Sequence, residues 1–250
     1  MDSGLLHACE RIDWRKVITM KIILAAFAGL LACCVSTAHA QFAGKLTYRL
    51  VNPTSTLTMV YYQNGNNARV DAQSVSNSDT TKVVNVQDTL LFDIAGRKMT
   101  HLQYKTGMAY ITMNTAALAQ QAMASTQSTV TVQTIGPETV NGYPCTHYVV
   151  EGKTGNYVSR REVWVTTALG TPGIQVAGGY LYWTPDFEQE IKLVAAGGAG
   201  VVVRSSVKAP GLSSVMDLVE VDTRAPNGRV FAVPAWYTVV DRSQMTVPAH

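Results

Sequence analysis

The chain has 250 residues, with 20 Lys and Arg against 17 Asp and Glu and a formal net charge of +3. Four of the basic and three of the acidic residues precede Gln41, leaving 16 against 14. So even a balance excludes a nucleic-acid binder, which would carry a basic stripe, and the length beyond Gln41 fits one all-β domain.

Residues 20–41 read as an export signal. Lys21 supplies a positive n-region. The apolar run Ile22 to Val35 is short of the ~20 residues a spanning helix needs, and Ala38-His39-Ala40 is a small-x-small cleavage pattern. Residues 1–19 carry Asp2, Glu10 and Asp13, unusual before a signal, so Met20 is the more natural start and 1–19 reads as an upstream extension. The expectation is a signal over 1–40 and a single exported domain over 41–250, in the periplasm. Leu30-Leu31-Ala32-Cys33 resembles a lipobox and gives the alternative, a lipoprotein anchored through Cys33. Membrane contact is expected only in that case.

From Gln41 onward, period-2 alternation dominates. Phe42, Gly44, Leu46, Tyr48 and Leu50 share one face of a first strand, with Lys45, Thr47 and Arg49 on the other. Leu57, Met59 and Tyr61 alternate with Thr58, Val60 and Tyr62 in a second strand, and Asn64-Gly65-Asn66-Asn67 turns into a short third at Ala68 to Asp71. Residues 72–80 read as a polar loop. Short strands are expected at Thr81–Val86, Thr89–Asp93, Lys98–Leu102 and Met108–Met113. Asn114 caps a short helix to about Ser125. Strands resume at Thr129–Ile135, Cys145–Glu151 and Ser159–Thr167, with Pro137 and Asn141-Gly142 in the turn between the first two.

A second helix is signalled by Thr184 as cap, Pro185 at the first position and Gly197 as stop. Its apolar face is expected at Phe187, Ile191 and Val194. Val201–Val207 and Ser213–Val221 form a hairpin around Ala209-Pro210-Gly211. Phe231 and Pro234 are expected to begin and shape a final strand. About eleven strands with short turns and no βαβ alternation imply a mainly β chain built on one highly curved antiparallel sheet. Several strands are apolar on both faces, so short helices are expected to cover the concave side.

Four patterns occur in order: Phe42-x-Gly44-x-Leu46-x-Tyr48, Val140-Asn-Gly142-Tyr143-x-Cys145-x-x-Tyr148, Glu162-Val-Trp164-Val-Thr166 and Phe231-Ala-Val233-Pro234-x-x-Tyr237. Together the chain resembles an exported bacterial family of unknown function, similar in architecture to the lipoprotein carriers LolA and LolB. That resemblance implies a LolA-like unclosed half-barrel of about eleven antiparallel strands wrapped over two or three short helices, in the Gram-negative periplasm. In the carriers the concave face receives acyl chains, and the resemblance implies a concave apolar face here.

Enzyme chemistry finds little support in the residues. There is no Gly-x-Ser-x-Gly elbow. Gly197-Gly198-Ala-Gly200 leaves a helix, whereas a phosphate cradle would enter one. Past the signal the histidines are His101, His147 and His250, without metal-ligand spacing. Cys145 is the one cysteine beyond Ala40 and reads as buried and inert. No enzyme, cofactor or metal is expected. The expected function is a periplasmic non-enzymatic binding module for a lipid or other acyl ligand, with Met59, Tyr61, Met99, Trp164, Trp183, Phe187 and Ile191 lining the cavity. The alternative is an envelope interaction or sensing domain that meets a protein partner and whose cavity is plugged by its own helices.

Overall fold

Alternation in the first strand shows how the sheet acquires two unlike faces. Leu46 and Tyr48 are buried on one side while Arg49 is exposed on the other. The computed structural model describes residues 41–76, 88–96, 98–113, 128–154, 157–173 and 186–242, and all lie in the compact unit Ala40–His250. The expected signal, the strand at Thr81–Val86, the helix from Asn114, the caps Thr184 and Pro185, and Trp183 lie outside the described residues.

Twelve strands are described. They are β1 Gly44–Val51, β2 Ser55–Asn64, β3 Asn67–Ser76, β4 Asp88–Asp93, β5 Lys98–Gln103, β6 Met108–Met113, β7 Ser128–Val140, β8 Tyr143–Thr154, β9 Tyr157–Thr166, β10 Val201–Ala209, β11 Leu212–Asp222 and β12 Thr238–Asp241. They form one unclosed sheet in the order β12-β6-β5-β4-β3-β2-β1-β11-β10-β9-β8-β7. Every neighbouring pair is antiparallel except β12 with β6, which is parallel. This is the single-sheet half-barrel expected from the sequence, with one parallel pair added at its edge.

Turn chemistry fixes the register. Asn141 and Gly142 both have positive φ, 51° and 82°, as a two-residue primed hairpin turn requires. Pro210-Gly211 joins β10 to β11 with Gly211 at φ 74°, the type II arrangement.

Three boundaries differ from expectation. Residues 72–76 are not loop; they prolong β3, and Ser76 pairs with Ser55. β7 does not stop at Ile135; it runs through Pro137 to Val140. It can do so because β7 is the sheet's edge, where a missing N–H breaks no ladder, and a register shift at Thr134/Gly136 absorbs the irregularity. The last strand begins at Thr238, not Phe231. Phe231 ends a 3₁₀ turn, Gly228–Phe231, and is only half-buried.

The helix α1, Asp186–Ala195, packs on β7 and β8. It ends as Gly197 predicts. Gly197 has φ 93°, its N–H donates to Val194 O at 3.0 Å, and the Gly198 N–H donates to Leu193 O at 2.9 Å, the Schellman pattern. The buried face is not the one expected. Leu193 and Gln189 are buried, Ile191 is half-buried, and Val194 is 40% exposed. Gln189 is drawn in because its Nε2 donates to Ser159 Oγ at 2.9 Å, and Gly152 leaves the space that its side chain fills.

The main core lies on the face that carries α1, here the inner face. Leu46, Tyr48, Tyr61, Val70 and Phe92 belong to it, and burying each such side chain stabilises by roughly 1.5–3 kcal/mol. A second, small core lies on the outer face, where Leu91, Leu102 and Ala109 meet Val233 and Tyr237 of the C-terminal segment. Among the described residues no helix is long and apolar enough to cross a membrane.

Candidate functional site

Register places three of the seven expected ligand residues together. Tyr48 pairs with Met59, Leu46 with Tyr61, and Phe92 with Met99. Met59, Tyr61 and Met99 therefore project to the inner face, in or against the main core. Met59 is 3% exposed and Tyr61 0%. The Tyr61 hydroxyl donates to Gln63 Oε1. Gln63 is itself fully buried and satisfied, with its Oε1 accepting the Gly173 N–H at 2.9 Å and its Nε2 donating to Gly65 O at 3.2 Å. Tyr48 beside them has its phenol pKa pushed up by burial, and by the nearby Tyr61. The polar end of this apolar face is thus closed by hydrogen bonds.

Trp164 does not join them. Val163 and Val165 are buried inward, so Trp164 points to the outer face in a cross-strand row Arg49–Asp217–Arg204–Trp164–His147. Its ring stacks on His147 with centroids 4.3 Å apart, and its Nε1–H donates to Glu138 Oε2 at 2.7 Å. Ile191 lies on α1, at the β7–β8 end of the inner face. Phe187 lies on the same helix, but its side chain, like Trp183, is outside the described residues. His101 projects inward from β5 and His147 outward from β8. Among the described residues no group of three or more His, Cys, Asp or Glu could hold a metal ion. Cys145 is a free, buried thiol whose pKa is raised by burial.

One site was missed from the sequence. On the outer face a groove of about 330 Å³ lies between β2–β5 and the C-terminal segment, with Arg69, Asp71, Thr89, Tyr104, Trp236 and Tyr237 on its walls. Outward positions of β3 supply Arg69 and Asp71. Arg69 Nε donates to both Asp71 oxygens at 2.9 Å, and Thr89 Oγ1 donates to Asp71 Oδ1 at 2.7 Å. Trp236 stacks on Tyr237 at 3.9 Å and meets Tyr104 edge-on at 5.7 Å. Burial pushes the Tyr237 phenol up, with Tyr104 adding to the shift and Arg69 opposing it. The wall is anchored at several points. Arg69 Nη1 donates to Val230 O at 2.9 Å, the Thr238 N–H to Gly107 O at 2.7 Å, and Asn64 Nδ2 to Pro226 O at 3.1 Å. The signal available in the sequence was the outward Arg69-x-Asp71 of β3 together with the closing Pro234-x-Trp236-Tyr237.

The described residues form a single unclosed sheet with one apolar, helix-bearing face, an open half-barrel. The chain belongs to the family described as "Domain of unknown function (DUF4412)", whose pattern matches residues 42–237. No curated protein matches it. Among solved structures it is similar to MucB in the "Crystal structure of MucB in complex with MucA(peri)", at 12% identity and TM-score 0.38, covering 82% of this chain and 59% of that one. It is likewise similar to a chain of the Pseudomonas aeruginosa MucA/MucB complex, at 13% identity and TM-score 0.38, covering 84% and 63%. A third likeness is to a DUF1329 family protein from Desulfovibrio piger ATCC 29098, at 11% identity and TM-score 0.25, covering 78% and 91%. The chain spans about three fifths of the length of those MucB chains.

Proposed function

We propose that the protein is an exported, non-enzymatic binding module of the cell envelope whose inner face takes an acyl chain or another apolar ligand. The observation that carries this reading is the shared inward projection of Met59, Tyr61 and Met99 among Leu46, Tyr48, Val70 and Phe92. It makes one broad apolar surface on the curved side of a half-barrel, while α1 packs at the far end, on β7 and β8. Methionine and aromatic side chains suit such a surface, because they adapt to ligands of irregular shape. The periplasmic address rests on Ala38-His39-Ala40 and its preceding apolar run. The non-enzymatic reading rests on the lack of nucleophile or phosphate-loop motifs in the sequence and on the buried Cys145 thiol.

The near-complete burial of Met59 and Tyr61 favours a second reading, an envelope interaction domain whose inner face is filled by its own chain. Native mass spectrometry of protein purified from membranes separates the two. An added mass of a lipid, together with uptake of a fluorescent fatty acid, supports the carrier-like module. The bare polypeptide mass with no uptake supports the filled domain.

A further inference from the structure

The outer-face groove belongs to neither reading. Its volume of about 330 Å³ is at the small end of the ~300–1,000 Å³ range of small-molecule pockets, enough for a sugar ring and its substituents. Two large rings stand open beside it, Trp236 at 57% and Tyr104 at 64% exposure. Trp236 is held rigidly between Tyr237 and Tyr104, yet more than half of its surface still meets solvent.

The floor beneath these rings is polar and electrically balanced. Asp71 neutralises Arg69, which argues against a phosphate or carboxylate as the recognised group. Among the described residues the Asp71 carboxylate accepts two donor hydrogens, the Arg69 Nε–H shared between its two oxygens and the Thr89 hydroxyl, of roughly four it can take. Among the described residues Arg69 uses Nε and Nη1 in the bonds above and keeps its Nη2 donors to spare. A spare acceptor and a spare donor on one ion pair that lines the groove match a hydroxyl, which both donates and accepts. A ligand with hydroxyls on its rim and C–H groups on its faces satisfies both the floor and the rings.

We infer that this groove binds a neutral saccharide, one ring lying against the Trp236 indole and adjacent hydroxyls reaching Arg69 and Asp71. The anchored C-terminal segment holds the site ready-formed, so little ordering cost opposes binding. The inference goes beyond the inner-face reading, and failure of acyl binding leaves it untouched.

The test is a ¹H–¹⁵N NMR titration of the full chain with cellobiose, maltose and N,N′-diacetylchitobiose, the Trp236 indole signal being assigned from Trp236→Phe. The expected result is a saturable shift of that signal with at least one sugar in the millimolar range. Trp236→Ala and Asp71→Asn, both checked for folding by circular dichroism, should each weaken binding about tenfold or more, equivalent to about 1.4 kcal/mol. No saturable shift with any of the sugars, or binding that survives both substitutions, overturns the inference.

Discussion

Trp164 stacks on His147 at 4.3 Å with the ring planes only 16° apart, on the opposite face of the sheet from Met59 and Tyr61. His147 Nδ1 lies 3.5 Å from Glu138 Oε2 and its Nε2 3.6 Å from Glu162 Oε2, so the stack is framed by two carboxylates. Replacing the indole removes the ring contact and the hydrogen bond to Glu138 on the outer side of β9. Trp164→Ala should cost about 1–2 kcal/mol in urea denaturation and leave fatty-acid uptake unchanged. Loss of uptake in a folded Trp164→Ala protein would return this residue to the ligand site.

The C-terminal segment is fastened by Tyr237 rather than by Phe231. Tyr237 packs on the small outer core of Leu91, Leu102 and Ala109, whereas no residue of the 3₁₀ turn that contains Phe231 is buried. Tyr237→Ala should lower stability by about 2 kcal/mol and Phe231→Ala by about 1 kcal/mol. The reverse order in denaturant midpoints would mean the segment docks differently.

Much of the fold was legible because it is local. Alternation revealed β1 and β2, Asn141-Gly142 and Pro210-Gly211 marked hairpins, and Gly197 marked the end of α1. The departures came from tertiary context. Pro137 is compatible with a strand only because β7 is an edge, a fact about neighbours that no local pattern contains. Gln189 outcompetes Val194 for burial because Ser159 and Gly152, some thirty residues earlier, offer a hydroxyl and a space. Trp164 misled because the size of an aromatic says nothing about which face it occupies; the buried Val163 and Val165 beside it held the better clue. The outer groove joins β3 to a C-terminal segment more than 150 residues away, as the Arg69–Val230 bond shows, and composition could not bring the two together.

Gly44, within the pattern Phe42-x-Gly44-x-Leu46, sits at φ 143° where an added Cβ would run into the Asp222 backbone carbonyl. Backbone cannot swing aside as a side chain can. Gly44→Ala should destabilise by more than about 1 kcal/mol, read as a fall in the thermal midpoint. A neutral effect would show that β1 and β11 have room to separate.

Acid should weaken the β1–β11 pairing. Lys45 Nζ donates to Glu220 Oε1 at 2.8 Å and Thr47 Oγ1 to Oε2 at 3.1 Å, and these bonds lower the Glu220 pKa. Arg224 does the same for Asp222 through its side chain and its N–H. A carboxyl whose folded pKa is depressed contributes stability above its unfolded value and loses it as pH falls through the folded one. The urea midpoint should therefore decline below about pH 4, and added salt should shrink the effect because Glu220 is exposed and Asp222 only half-buried. Glu220→Gln with Asp222→Asn should flatten that decline; an unchanged profile would assign it elsewhere.

The Cys145 thiol should resist a thiol reagent in the native protein and react once urea unfolds the chain. Burial raises its folded pKa, so its contribution to stability is present below the unfolded thiol range and is lost as pH rises beyond it. Rapid native labelling with dithionitrobenzoate would contradict the burial.

The acyl-binding account is tested most directly by a spin-labelled stearic acid added to protein carrying ¹³C-methyl methionine. Paramagnetic broadening should fall on the methyls of Met59 and Met99 and spare the Trp164 indole N–H. Sharp, unmoved signals from Met59 and Met99 at saturating label, or broadening confined to Trp164, would contradict it.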